Sequence, residues 1–119
     1  MTVLLVEDDE TVRDLLARVL RADGHQVLTA ASGEAAEALL AGGRERVDLL
    51  VCDVCLPGEN GPALAERLAR SQPQMRLLLM SGDPTMDDAT HGTQLPAEFL
   101  GKPFSNRRFL DSVHDLLER

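Results

Sequence analysis

Leu49-Leu50-Val51-Cys52-Asp53-Val54 is the stretch on which the fold turns. Its first four residues are apolar without a break, so an extended chain here has no polar face to give to water. Such a strand needs cover on both sides, which is the condition of a parallel sheet between helices. Five short runs of this kind punctuate the chain: Val3 to Val6, Gln26 to Ala30, Asp48 to Cys52, Arg76 to Met80 and Ala97 to Leu100. The segments between them carry helical spacing. Val12, Leu15, Leu16, Val19 and Leu20 recur at i, i+3, i+4, i+7 and i+8, and Gly24 ends that helix. A second helix starts after Ser32, a suitable N-cap, turns Ala36, Leu39 and Leu40 inward and stops at Gly42-Gly43. A third covers about Pro62 to Arg70 with Leu64 and Leu68 on one face, and a last one, about Asn106 to Leu117, buries Phe109, Val113, Leu116 and Leu117. Strands and helices that alternate in this way predict a doubly wound α/β domain, a five-stranded parallel sheet with helices on both faces. Only Asp83 to Pro96 breaks the pattern: Met86 and Ala89 are its convincing apolar positions, and Pro84 and Pro96 bracket it. The helix expected there is short, tilted or mobile.

Composition narrows the class of function. The chain has 119 residues, 44% of them apolar, with 20 acidic and 12 basic side chains. That is the size of one globular domain spanning residues 1–119, able to build a core without disulfides or structural metal. A formal net charge of -8 argues against direct nucleic-acid binding and against a grip on anionic membranes, both of which need clustered cations. No apolar run approaches the roughly 20 residues of a membrane helix, and Met1 leads into a strand-like run rather than a signal peptide. A cytoplasmic location is expected, with protein or small-molecule partners. Cys52 and Cys55 form a CxxC, but three steps of extended chain span roughly 10 Å and an odd offset sends the side chains to opposite faces. Neither a redox pair nor a zinc site is expected from them. There is no internal repeat, low-complexity tract or linker.

In an open parallel sheet the ligand site lies beyond the carboxyl ends of the strands. Glu7, Asp8, Asp9 and Glu10 follow the first strand, Asp53 ends the third, Ser81 follows the fourth and Lys102 the fifth. Asp53 continues a strongly apolar strand, so its carboxylate is expected to be partly buried near Glu7 and Asp8. Like charges in one pocket demand a cation. Magnesium suits such a place, held by carboxylates, a backbone carbonyl and waters with room left for a phosphate. Lys102 is the one lysine beside eleven arginines, which suggests a need for a compact point charge on a flexible stem. His25, His91 and His114 are scattered, follow no strand on that edge, and are expected at surface or turn positions.

These residues resemble the receiver domain of two-component response regulators, along the whole chain. Val3-Leu4-Leu5-Val6-Glu7-Asp8-Asp9 resembles the first strand and acidic pair of that family. Leu50-Val51-Cys52-Asp53-Val54-Cys55-Leu56-Pro57-Gly58 with Gly61 resembles its phosphoacceptor segment, Met80-Ser81-Gly82 its hydroxyl motif, and Lys102-Pro103-Phe104 its lysine with a cis-proline turn. Each is weak alone; four in order are specific. The resemblance implies a flavodoxin-like receiver fold with strand order 2-1-3-4-5, an order taken from the family and not from the residues. It implies that Asp53 is phosphorylated by a sensor histidine kinase or phosphotransfer protein. Asp8, Asp53 and the backbone carbonyl of Cys55 would ligate Mg2+, with Glu7 acting largely through water and Asp9 a neighbour. Ser81 and Lys102 would each bind a phosphoryl oxygen, and Phe99 would be the aromatic that rotates between exposed and buried positions. The motifs around Ser81 and Lys102 look most like receivers attached to hybrid sensor kinases.

The implied activity is that of a phosphoacceptor switch, not a turnover enzyme, which catalyses only its own phosphorylation and slow autodephosphorylation. Its output would pass by protein contact or by phosphate relay. The weak helix in 83–96 and the flexible Gly101 depart from the family pattern at the usual output surface, so a monomer is expected in both states. Two rivals remain. A pseudo-receiver would bind partners without phosphorylation, against which the joint presence of Glu7, Asp8, Asp53, Ser81 and Lys102 argues. A phosphatase-like hydrolase would place Asp-x-Asp after the first strand, which Glu7-Asp8-Asp9 does not supply.

Overall fold

The structure is a computed structural model that describes residues 1–83, 85 and 93–119. Seven strands and four helices follow one another among the described residues: β1 (Thr2–Val6), α1 (Glu10–Ala22), β2 (Gln26–Ala30), α2 (Gly33–Leu40), β3 (Leu49–Asp53), β4 (Cys55–Leu56), β5 (Glu59–Asn60), α3 (Gly61–Ala69), β6 (Arg76–Ser81), β7 (Ala97–Gly101) and α4 (Asn106–Leu117). Five of the strands make one parallel sheet in the order β2-β1-β3-β6-β7, which is the expected order 2-1-3-4-5 when the sheet strands are counted along the chain. The expected helix within 83–96 falls largely outside the described residues.

The alternation of side chains across the sheet explains why its central strands are apolar throughout. Val3 and Leu5 of β1, Leu49 and Val51 of β3, and Leu78 and Met80 of β6 pack against Leu16 and Leu20 of α1 and Phe109, Val113 and Leu116 of α4. Their neighbours Leu4, Val6, Leu50, Cys52, Leu77 and Leu79 point the other way, onto Ala36 and Leu40 of α2 and Leu64, Ala65 and Leu68 of α3. Two cores therefore share one sheet, and each buried leucine contributes about 2 kcal/mol to holding the layers together. Two leucines expected inside stay out: Leu15 is 50% and Leu39 44% exposed. A helix lying on a flat sheet buries only a narrow stripe, and both residues sit on its flank, where Leu39 lines a shallow groove with Arg13, Thr29 and Ala38.

The strand ends need adjustment too. β3 runs one residue later than expected and takes in Asp53 itself, because the ladder to β6 continues through the pair Asp53 and Met80. The turn at Pro57-Gly58 is present, with Gly58 at a φ of 81° that other residues rarely adopt. It closes a small antiparallel pair, β4 with β5, that the sequence reading did not foresee. Asn60 then caps α3, its Oδ1 accepting from the Ala63 amide at 2.7 Å. Helix caps elsewhere follow the same chemistry, with Ser32 on α2 as expected and Ser105 on α4.

Candidate functional site

Four of the expected residues meet at the carboxyl edge of the sheet. Asp53, the last residue of β3, is 9% exposed, and Glu7, one step past β1, is 1% exposed. Glu7 is fixed from several sides: its amide donates to the Ala30 carbonyl, its carbonyl accepts from the Arg13 guanidinium at 2.9 Å, and its Oε2 accepts from the Asp9 amide at 3.2 Å. Lys102 enters from the far side of the sheet, held because its amide donates to the Ser81 carbonyl at 2.7 Å. Its Nζ lies 3.1 Å from Glu7 Oε1 and 2.7 Å from Asp53 Oδ1. Burial draws the Lys102 ammonium down, but the Asp53 and Glu7 carboxylates outweigh it and hold its pKa above the ordinary lysine value. The Lys102-Pro103 bond is cis, as expected.

Asp8 is exposed at the rim, and Glu7, Asp8 and Asp53 offer carboxylate oxygens that all lie within 4.8 Å of one another. Three carboxylates against one ammonium leave a formal surplus of two negative charges in a half-closed pocket. Asp53 Oδ1, beyond its contact with the ammonium, takes no hydrogen bond among the described residues although it is buried. Its one partner is an ammonium that it shares with Glu7, which leaves acceptor capacity on a buried anionic oxygen for a second cation or a ligand. The donors are hard oxygens throughout, so the cluster can bind a metal of the magnesium type and is ill suited to one that prefers thiolate.

The other expected residues lie close by or apart. Ser81 ends β6, one residue beyond the partner of Asp53, and its Oγ accepts from the Asp83 amide at 3.0 Å. Phe99 is in β7 opposite Leu79, half-buried against the α2 and α3 side of the core and two residues short of the strand end. The Cys55 thiol is exposed and adds nothing to the acidic cluster, whereas Cys52 is buried, and burial pushes its thiol up. The two cysteines thus face apart, both free.

Three residues take roles that did not follow from the sequence. Asp9 is the N-cap of α1, its Oδ1 accepting from the Val12 amide at 3.1 Å, and an Asp just ahead of a periodic apolar stretch is a legible sign of that role. Arg13 reaches back to the Glu7 carbonyl. Gly61 packs so closely that a Cβ there would collide with the Asp53 carbonyl and press on Cys52 Sγ and Leu79. His25 and His114, far apart in sequence, are not scattered in space: both meet Asp23, away from the acidic edge. His91 lies outside the described residues.

A family model described as the response regulator receiver domain matches residues 3–114. Among curated proteins, the chain is 40% identical over 123 residues to the sensor kinase CckA of Brucella abortus, covering 99% of this chain and 13% of that protein. It is 29% identical over 116 residues to the uncharacterized transcriptional regulatory protein YbdJ of Bacillus subtilis, covering 98% of this chain and 50% of that one. The crystal structure of the receiver domain of the hybrid histidine kinase CckA matches with a TM-score of 0.82 at 32% identity, covering 98% of this chain and 99% of that one. The chain spans half or less of the length of these curated relatives. Among the described residues no helix is long and apolar enough to cross a membrane.

Proposed function

The chain belongs to the response regulator receiver family of two-component signalling, and from that premise we propose that it works as a phosphorylation switch whose acceptor is Asp53. The observation that carries the reading is the buried, donor-poor Oδ1 of Asp53 with the Lys102 ammonium 2.7 Å away. Asp53 attacks the phosphorus of a phosphohistidine in line, a P–O bond forms as the P–N bond breaks, and the imidazole leaves on the partner. Lys102 then exchanges part of its pairing with Asp53 for a phosphoryl oxygen, and the Ser81 hydroxyl donates to another. Glu7, Asp8 and Asp53, with the backbone carbonyl of Cys55, would hold Mg2+. The ion, when bound, supplies positive charge against the developing charge on the phosphoryl oxygens. Phe99, half-buried on the strand that leads to Lys102, is the side chain whose rotation would report the change. The donor would be a sensor histidine kinase or phosphotransfer protein in the cytoplasm, with fusion to a hybrid kinase one setting for the domain. The reaction is confined to the protein's own side chain, so the activity is that of a switch and not of a turnover enzyme, and we propose that it stays monomeric in both states.

Intact mass after incubation with a small acyl phosphate or phosphoramidate tests this reading. A labile, Mg2+-dependent gain of one phosphoryl group, absent in Asp53→Asn, is expected. No gain across several donors would favour an unphosphorylated binding module instead, and steady turnover of a generic phosphate ester would favour a hydrolase. Sedimentation of the phosphorylated form over a range of concentrations tests the monomer: a phosphorylation-dependent dimer overturns it.

A further inference from the structure

We propose that Asp23, His25 and His114 form a second metal site, for a divalent ion of the zinc class, at the end of the sheet opposite the acidic cluster. Asp23 caps the carboxyl end of α1 and His25 immediately precedes β2, so both lie at the amino edge of the strands. Gly24 between them has a φ of 92°, a left-handed turn that brings the two side chains back toward each other. His114 arrives from the end of α4, 91 residues away from Asp23. His25 Nε2 lies 2.9 Å and His114 Nε2 2.6 Å from the same atom, Asp23 Oδ2, and the three ligating atoms fall within 4.8 Å of one another.

The chemistry of the set selects the ion. Two imidazole nitrogens and one carboxylate oxygen suit Zn2+, with bonds of about 2.0–2.2 Å and a fourth position left to water. Ligand atoms in a tetrahedral site of that size stand roughly 3.3 Å apart, so Asp23 Oδ2 and each imidazole nitrogen need to part by less than about 1 Å. Magnesium, which prefers oxygen and keeps its waters, has no comparable claim on imidazole. The site is also prepared and reachable. The Asp23 amide is committed to the last carbonyls of α1, which fixes the residue that offers the carboxylate. The His25 side chain is 11% exposed, which fixes one ring, whereas His114 at 47% leaves a face open to the incoming ion. With Nε2 protonated, the two rings would place two N–H donors on one oxygen; a divalent ion between the three atoms takes the Nε2 lone pairs instead, each ring then carrying its proton on Nδ1, and ties the α1–β2 turn to the end of α4.

The test is titration of the chelator-treated chain of residues 1–119 with Zn2+, and with Co2+ as an optical probe, in excess Mg2+ so that the acidic edge is already engaged. One Zn2+ per chain is expected, with visible Co2+ absorption of the intensity that a tetrahedral site gives. His114→Gln, a change at an exposed helix position, is expected to weaken binding roughly tenfold or more, and His25→Gln likewise. Asp53→Asn and Cys55→Ser are expected to leave the affinity as it is. At a hundredfold excess over Kd, Zn2+ should raise the Tm by roughly 10 °C, and at the same Zn2+ concentration His114→Gln should cut that rise to about half or less. Failure of the unsubstituted chain to bind overturns the proposal, leaving a proton-mediated cluster. Unchanged affinity in His114→Gln, or loss of binding in Asp53→Asn or Cys55→Ser, overturns it as well by placing the ion elsewhere.

Discussion

Lys102 Nζ stands between two carboxylates, one of them almost wholly buried, and that position sets what its removal does. Without the ammonium, Glu7 and Asp53 remain as neighbouring anions with little solvent to separate them, which costs stability in the absence of any other cation. Lys102 is 31% exposed, so solvent screens part of the effect. Lys102→Met is expected to lose about 1–2 kcal/mol in urea unfolding without divalent ions. Added Mg2+ should return more stability to this variant than to the unsubstituted protein, because there it meets an uncompensated pair. A midpoint unchanged by the substitution, with or without Mg2+, would show that the lysine carries no part of the charge balance. The residues of this site were legible in the sequence because a parallel sheet delivers each strand end to one edge, so Glu7, Asp8, Asp53, Ser81 and Lys102 could be placed there from their offsets alone. The meeting of Asp23 with His114 was not legible, since nothing local relates a turn after the first helix to the end of the last.

Elements position these side chains through contacts that are short in space and easily broken. The amide of Gly61, at the start of α3, donates to the Val54 carbonyl, and its α-carbon lies against the Asp53 carbonyl with no room for a methyl group. Gly61→Ala must push α3 and the β4–β5 hairpin off the end of β3; it is expected to cost about 1–3 kcal/mol in thermal unfolding and to slow phosphorylation of Asp53. Unchanged stability together with an unchanged rate of mass gain would mean that the close approach is dispensable. Asp9→Ala probes the neighbouring element with the opposite pattern. It removes the cap of α1 and about 1 kcal/mol with it, yet Glu7 keeps its bond because that bond comes from the Asp9 amide. Mg2+ affinity measured by calorimetry should therefore hold, and a large loss would make Asp9 a ligand. Helices and sheet strands were readable from periodicity, whereas the two-residue strands β4 and β5 were not, because so short a pair has no pattern of its own. Leu15 and Leu39 misled for a related reason: helical spacing marks a stripe but not how much of it a flat sheet covers.

At the scale of the molecule, the sheet class followed from strands with no polar face, but the strand order needed the family resemblance, since periodicity does not say which strand pairs with which. That order leaves β7 at an edge, where Glu98 is flanked by α4 and the end of the chain. Burial, and then the hydrogen bond and charge of the Asp115 carboxylate, push Glu98 up to about 7, against the pull of Arg119 and Arg108. The folded state therefore holds a proton that the unfolded chain, with an ordinary value of 4.5, gives up earlier. Between those two values the native protein binds more protons than the unfolded one, so the stability linked to Glu98 is fully present below 4.5 and is lost as the pH rises through about 7. Asp115 is shifted the other way, downward from 3.8, so its own linkage falls in more acidic solution and does not offset the effect. Glu98→Gln keeps a hydrogen-bonding side chain without the charge. From about pH 5 to about pH 8 the variant should gain on the unsubstituted protein by about 1 kcal/mol of unfolding free energy, once solvent screening at the sheet edge is allowed for. Urea unfolding of both proteins across that range measures it. Parallel pH profiles would show that the two carboxylates of this edge do not share a proton, and that the acid-side stability of the domain comes from elsewhere.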